Sequence, residues 1–169
     1  NGDTVKFLWH LLEGNHPIET VLMYYDERAT VCVSTQAGCA MACGFCATGQ
    51  AGFNRQLSPG EIIEQVVRSA REAATKNRRI DNIVFMGMGE PLMNYNNVIK
   101  AIDKITSPEG LGMSAKRITV STSGIPKMIK KLADDEVKFK LAVGAAHTYR
   151  HQRHLCLQRD MKSACFKRQ

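Results

Sequence analysis

Three cysteines stand within eight positions, Cys39-x-x-x-Cys43-x-x-Cys46, inside the segment GCAMACGFCATGQAGF that spans residues 38–53. Thiols held this closely serve as ligands of a metal or cluster far more often than as nucleophiles. Structural zinc sites take four ligands, usually as two short pairs of Cys or His. Here the second pair is missing: no His falls within residues 17–146, and the next cysteine after Cys46 is Cys156. Iron–sulfur clusters normally take four thiolates. Three would leave one iron with an open position, where a small chelating ligand can bind, much as catalytic zinc keeps one site for substrate. Spacing alone leaves zinc, and a chance triad in a cysteine-rich loop, as alternatives.

Two further segments have the composition of ligand loops. GMGEPL, Gly87 to Leu92, follows a strand-like run, and its glycines let backbone approach a ligand closely. Glu90 within it can accept a hydrogen bond from an ammonium. The order is not GxGxxG and no helix start follows for a pyrophosphate, so a dinucleotide site is disfavoured. STSG, Ser121 to Gly124, also ends a strand-like run and offers hydroxyls to a ribose or carboxylate. Each segment read alone is equally a structural turn.

These loops need a frame, and the chain supplies an alternating one. Strands are expected at 29–35 (ATVCVST), 80–86 (IDNIVFM), 116–122 (KRITVST) and 137–143 (VKFKLAV), and helices at 58–76, 95–105 and 126–134. The first helix carries its own start signal: Ser58 as N-cap, Pro59 at the first helical position, and Glu61 completing a capping box. Ile62, Ile63, Val66, Val67 and Ala70 are expected to form its apolar stripe. Such alternation predicts an α/β fold with a parallel sheet and right-handed crossovers. The three candidate segments each follow a strand, which places them on one rim, where ligands of α/β folds bind. Four such strands cannot close an eight-stranded barrel of about 250 residues. The expectation is a small open sheet or part of a larger barrel. Residues 1–24 read as a separate pair of short strands around a Gly-Asn-His-Pro turn.

Composition sets outer limits. The chain has 169 residues, 44% hydrophobic and 23% charged, the profile of a globular domain with one core. No apolar run approaches the roughly 20 residues of a membrane helix, and no secretory signal is visible at the N-terminus. The chain begins without Met, as a piece cut from something longer would. Disulfide-stapled domains spread their cysteines more evenly, so a reducing compartment and a metal site are expected. The net charge of +7 is uneven: residues 144–169 hold six Lys/Arg and one Asp, so they contribute +5. A nucleic-acid reading based on charge would rest on that tail alone.

CxxxCxxC after a strand, followed by a GEP loop, resembles the radical S-adenosylmethionine (SAM) superfamily. In that superfamily the open iron of a 4Fe–4S cluster binds the amino and carboxylate groups of SAM, and reduction cleaves SAM to a 5′-deoxyadenosyl radical. IETVLM, RATVCVSTQAGCAMACGFCATGQAGFNRQL, EIIEQV, NIVFMGMGEPLMNYNNV and RITVSTSGIPKMIKKLA resemble, more closely, the RlmN family of radical SAM dual-specificity RNA methyltransferases. That family methylates C2 of an adenine in 23S rRNA and, in bacteria, in some tRNAs. The resemblance covers about residues 3–143.

Carried over residue by residue, it implies Cys39, Cys43 and Cys46 as cluster ligands. Gly89, Glu90 and Ser121 are implied as SAM contacts, with Glu90 facing the amino group, and Glu19 in IETV as the proposed proton acceptor. The implied fold is a partial radical-SAM (βα) barrel preceded by an N-terminal β-hairpin. It divides into residues 1–27 (the end of an accessory domain), 28–143 (the core) and 144–169 (a divergent basic tail). The implied partners are 23S rRNA, alone or together with tRNA, and an electron donor such as flavodoxin or ferredoxin; no membrane is implied. The implied location is the cytoplasm. The MGMGEPL and IETV context favours C2 over C8 methylation.

Two departures stand out. After LAV the family has a SLHA segment, whereas this chain has Gly144-Ala145-Ala146-His147. The family also carries the methyl group on a late cysteine in an ACGQL setting, and neither Cys156 nor Cys165 has that context. The tail is expected to be poorly ordered or at best a loose helix, as a frameshift or spliced fragment would give. Alternatives to an active methyltransferase are an inactive cluster-binding fragment and a zinc-binding nucleic-acid module that also uses His147, His151, His154 or Cys156.

Overall fold

A computed structural model describes residues 3–44, 46–144 and 154–157 of the chain. Strand β1 (Thr4–His10) and strand β2 (Pro17–Tyr24) form an antiparallel hairpin, and β2 pairs antiparallel with β3 (Ala29–Cys32). The hairpin is therefore hydrogen-bonded into the main sheet. The chain then leaves through β4 (Gln36–Gly38), a short helix α1 (Ala47–Gln50) and β5 (Phe53–Gln56). Helix α2 (Pro59–Thr75) follows, then β6 (Asn82–Phe85), α3 (Tyr95–Thr106), β7 (Ile118–Thr122), α4 (Pro126–Asp134) and β8 (Lys140–Gly144). Strand β9 (His154–Leu157) pairs antiparallel with β8, where the sequence reading expects a poorly ordered tail or a loose helix.

The main sheet has the order β1-β2-β3-β6-β7-β8-β9, with β3, β6, β7 and β8 parallel. Each parallel strand lies beside the one before it and the order never reverses. Right-handed crossovers in such a row put every helix on the same face, as in a (βα) barrel. Among the described residues the sheet stays open, so the expected partial barrel is what forms. No helix among them is long and apolar enough to cross a membrane.

Burial alternates accordingly. Ile18 and Leu22 on β2, Ile83 and Phe85 on β6, and Ile118 and Val120 on β7 are buried under the helices. Their neighbours Glu19, Val84, Thr119 and Ser121 point to the other face and are only half-buried. The two-residue side-chain period of a strand makes this division automatic.

Helix α2 begins as the sequence predicts. Ser58 Oγ accepts from the Glu61 N–H at 3.3 Å, and Glu61 Oε2 accepts from the Ser58 N–H at 2.8 Å. Arg55 adds two bonds to the same carboxylate, at 3.0 and 2.6 Å. Those bonds hold the Glu61 carboxyl at about 2, well below the usual carboxylate range, with Ser58 assisting and partial burial opposing. The buried stripe differs from the expected one: it is Ile62, Gln65, Val66, Ser69 and Ala73, while Ile63, Val67 and Ala70 are half-buried. The reason is polar. Gln65 lies against strand ends whose backbone and hydroxyl groups would otherwise be buried without partners.

Candidate functional site

The cysteine loop is closed by a small ladder. β4 and β5 pair antiparallel, with an irregularity at Ala37/Gly38. The Cys39 N–H donates to the Gly52 carbonyl at 2.9 Å and ties the two ends together. Gly38 sits at φ +76, and a Cβ there would run into the Gly52 carbonyl oxygen, so this closure requires glycine. Within the loop the Cys46 N–H donates to the Cys43 carbonyl at 3.0 Å, and Cys46 is the N-cap of α1. Gln50 folds back, its Nε2 donating to the Gly44 carbonyl at 2.7 Å.

All three thiols are free; Cys39 is buried and Cys43 and Cys46 half-buried. Among the described residues no three Cys, His, Asp or Glu side chains already stand together as a metal site. The loop keeps its thiols on a short tether without gathering them onto one point. Burial pushes the Cys39 thiol up; a Met41 N–H pulls it down, and the charges of Cys43, Cys46 and Glu90 raise it further. Three free cysteines on one short loop offer the soft sulfur donors that an iron–sulfur cluster takes, so the residues fit such a group by donor type.

The glycine loop after β6 is bolted to the strand that leads into the cysteines. The N–H groups of Thr35 and Gln36 donate to the Met88 carbonyl at 2.8 and 3.2 Å, and the Met88 N–H donates to Ser34 Oγ at 2.9 Å. Gly89 stands at φ +98, and a Cβ on it would meet the Gln36 Cβ at 2.5 Å. Both the backbone angle and the contact therefore demand glycine.

Glu90 is 4% exposed. Its N–H donates to Gln36 Oε1 at 2.8 Å, its Oε1 accepts from the Leu92 N–H at 3.0 Å, and its Oε2 accepts from the Ser123 N–H at 2.8 Å. The carboxylate thus joins the loop after β6 to the loop after β7. Each oxygen keeps a further lone pair for an incoming donor. Beside it, the hydroxyl of Ser123 is buried with no hydrogen-bond partner. An orphaned hydroxyl next to a buried carboxylate suits a small polar ligand such as an amino acid. Sequence reasoning singled out Ser121; the residue that touches Glu90 is Ser123, two positions along the same STSG segment.

Ser121 lies on the half-exposed face of β7, opposite Ala142 of β8. Glu19 reaches the same rim from the hairpin. Ser34 Oγ donates to its backbone carbonyl at 2.6 Å, so one hydroxyl links the strand of Glu19 to the Met88 N–H. The Glu19 carboxylate itself is paired with Lys6 Nζ at 2.6 Å, with 42% of its side chain exposed. The structure therefore ties Gly89 and Glu90 to the strand that leads into Cys39, sets Ser121 and Glu19 on the opposite face of the sheet from the helices, and adds Ser34, Gln36 and Ser123.

Behind the glycine loop an open groove of about 730 Å³ runs between the first turns of α3 and α4, lined by Leu92, Tyr95, Asn96, Ile125, Lys127 and Lys131 among others. None of the expected site residues lines it.

Comparison with known proteins adds an independent line. The family description "Radical SAM superfamily" matches residues 33–162, a span that runs past Val143. A protein of Flavobacterium psychrophilum named "Probable dual-specificity RNA methyltransferase RlmN" is 66% identical over 127 residues, covering 75% of this chain and 37% of the relative. A protein of the same name from Corynebacterium diphtheriae is 51% identical over 150 residues, covering 88% of this chain and 40% of the relative. The crystal structure of a radical SAM methyltransferase from Sphaerobacter thermophilus superposes with a TM-score of 0.81 at 48% identity, over 84% of this chain and 41% of that one. The chain spans about two fifths of the length of the curated relatives it matches.

Proposed function

The chain belongs to the radical SAM superfamily, and from that membership we propose that it is the cofactor-binding part of an RNA methyltransferase of the RlmN type. Membership implies SAM and an iron–sulfur cluster. In this reading Cys39, Cys43 and Cys46 hold a 4Fe–4S cluster. Gly89, Glu90 and Ser121 hold SAM, and Ser123 joins them through its unpartnered hydroxyl. When bound, the pair supplies one-electron reductive chemistry at the SAM sulfonium.

The chain's own residues orient and exclude. Glu90, fixed by two backbone N–H groups, offers its remaining lone pairs to the SAM ammonium. Gly89 lets the backbone lie close to the ligand. Glu19, on the bare face near the same rim, is the proton acceptor, once its carboxylate leaves Lys6. The substrate is an adenine at C2 in 23S rRNA, alone or together with tRNA, presented unstacked at the rim as chemistry on a base requires. The electron donor is a flavodoxin or ferredoxin, and the compartment is the cytoplasm.

The observation that carries this reading is the joining of a three-thiol loop to a buried Glu90 through β4, within a chain whose relatives bear the RlmN name. Anaerobic reconstitution with iron and sulfide tests it. The expected product is a brown protein with about four irons per chain; a colourless protein holding one zinc sinks the proposal. SAM cleavage under strong reductant is expected next. Methyl transfer to RNA is not expected from these 169 residues, because neither Cys156 nor Cys165 stands in the carrier setting; C2-methyladenine detected by mass spectrometry would overturn that.

A further inference from the structure

Gln36 is the first residue of β4, Gln56 is the last of β5, and the two face each other in register across the mouth of the cysteine loop. Gln36 is fully buried. Its Nε2 donates to Gln56 Oε1 at 2.9 Å, and its Oε1 accepts from the Glu90 N–H at 2.8 Å. Gln56 Nε2 in turn donates to the Met93 carbonyl at 3.0 Å. Glu90 and Met93 are the two ends of one tight turn, closed by the Met93 N–H donating to the Glu90 carbonyl at 3.0 Å. Two amides in series therefore grip that turn at both ends from the two exits of the cysteine loop.

The direction of this relay is fixed. Glu90 contributes a donor and Met93 an acceptor, so each amide must turn its oxygen towards the Glu90 end and its NH₂ towards the Met93 end. A carboxylate at either position could accept but not donate, so it would lose one of its two links, and an apolar side chain would leave two partners unmet. Burying an amide is costly unless it is bonded, and its return is a single preferred arrangement rather than extra stability. Gly89 agrees: the loop lies so tightly on the stem of Gln36 that a Cβ would be 2.5 and 2.6 Å from the Gln36 Cβ and Cγ.

We propose that Gln36 and Gln56 are positioning residues that set the separation between the cysteine loop and Glu90, and so the fit of SAM between cluster and carboxylate. The second half of that statement rests on the functional reading above; the first does not.

The test compares the intact chain with Gln56→Met and Gln36→Met after anaerobic reconstitution. It measures iron content, melting temperature, SAM dissociation constant and the change in the cluster's electron paramagnetic resonance spectrum on adding SAM. Gln56→Met leaves the buried amide of Gln36 in place and is expected to fold and load iron as the parent does. Its SAM affinity should fall about tenfold, the effect of about 1.4 kcal/mol of misplaced contact, and the SAM-dependent spectral change should shrink. Gln56→Glu restores the acceptor for Gln36 but not the donor to Met93, and should fall between.

Hydrogen exchange of the free protein gives a ligand-independent reading. Amides of residues 88–93 should exchange faster in Gln56→Met while those of α3 and β7 do not. Unchanged SAM affinity with iron retained, or a loss of affinity that only tracks lost iron and melting temperature, overturns the positioning role. Unchanged exchange at residues 88–93 overturns the clamp itself. A parent chain that takes up neither iron nor SAM removes the cofactor reading, and the exchange experiment still decides the clamp.

Discussion

The two faces of the main sheet are built from the same strands and obey different rules. Under the helices, Ile83, Phe85, Ile118 and Val120 are at most 1% exposed and touch one another as a single core. On the opposite face the alternate residues include Lys6, Glu19, Thr119, Ser121 and Lys140, with Leu8 at 59% exposure. The first face holds the fold together and the second carries polar groups that the fold does not require. Polar residues on a covered face need partners, and Thr20, Ser34 and Gln65 show how they find them. Trp9 Nε1 donates to Thr20 Oγ1 at 3.0 Å, and Gln65 Oε1 accepts from Thr20 Oγ1 and from the Ser34 N–H, both at 2.8 Å.

The sharpest way to break the contrast is to truncate adjacent residues of β6. Phe85→Ala removes a ring from the covered face and should cost about 3–5 kcal/mol in urea unfolding, whereas Val84→Ala on the bare face should cost under about 1 kcal/mol. Equal effects would mean that the bare face is packed after all. Next in size is Gln65→Leu. It strips partners from Thr20, Ser34 and the Ser34 carbonyl, and should cost about 2–3 kcal/mol despite its similar volume, with the single Trp9 as a fluorescence reporter.

Glu61→Gln should cost about 1–2 kcal/mol at neutral pH through the cap and the Arg55 pair. The sign with pH follows from a depressed carboxyl. Its contribution is complete above the ordinary value near 4.5 and disappears as pH falls through about 2. The gap between parent and variant should therefore narrow across that window, and a gap that stays constant would refute the assignment. Smallest is Glu19→Gln, on the bare face: loss of its exposed pair with Lys6 should change stability by no more than about 0.5 kcal/mol. Ser121→Ala should be similarly mild in melting while weakening SAM binding, which separates a site residue from a structural one.

What could be read without coordinates was local. Ser58, Pro59 and Glu61 announce a helix start within four residues, and the apolar runs of β6 and β7 mark strands by their composition alone. The ladder of β4 and β5 could not be read that way. Gln36-Ala37-Gly38 and Phe53–Gln56 are short and largely polar, and each becomes a strand only because the other lies across the loop. The burial of Gln65 likewise depends on Thr20 and Ser34, 45 and 31 residues away. The same holds for Glu90. Its residue type suggested a ligand contact, but its bond to the Ser123 N–H depends on how the loops after β6 and β7 meet.

The strand order β1-β2-β3-β6-β7-β8-β9 is also the order of synthesis. No later strand has to be inserted between two earlier ones, so each new unit docks onto an edge already made as the chain leaves the ribosome. The three-thiol loop and its ladder lie between the third and fourth strands of this row, with Glu90 just after the fourth. That end can therefore take shape while the rest is still being translated, although each parallel pairing, such as Thr30 opposite Asn82, closes over a long stretch of chain and is the slow part of the process. A nascent chain released at the end of β7 should already protect the amides of β2, β3 and β6 from exchange.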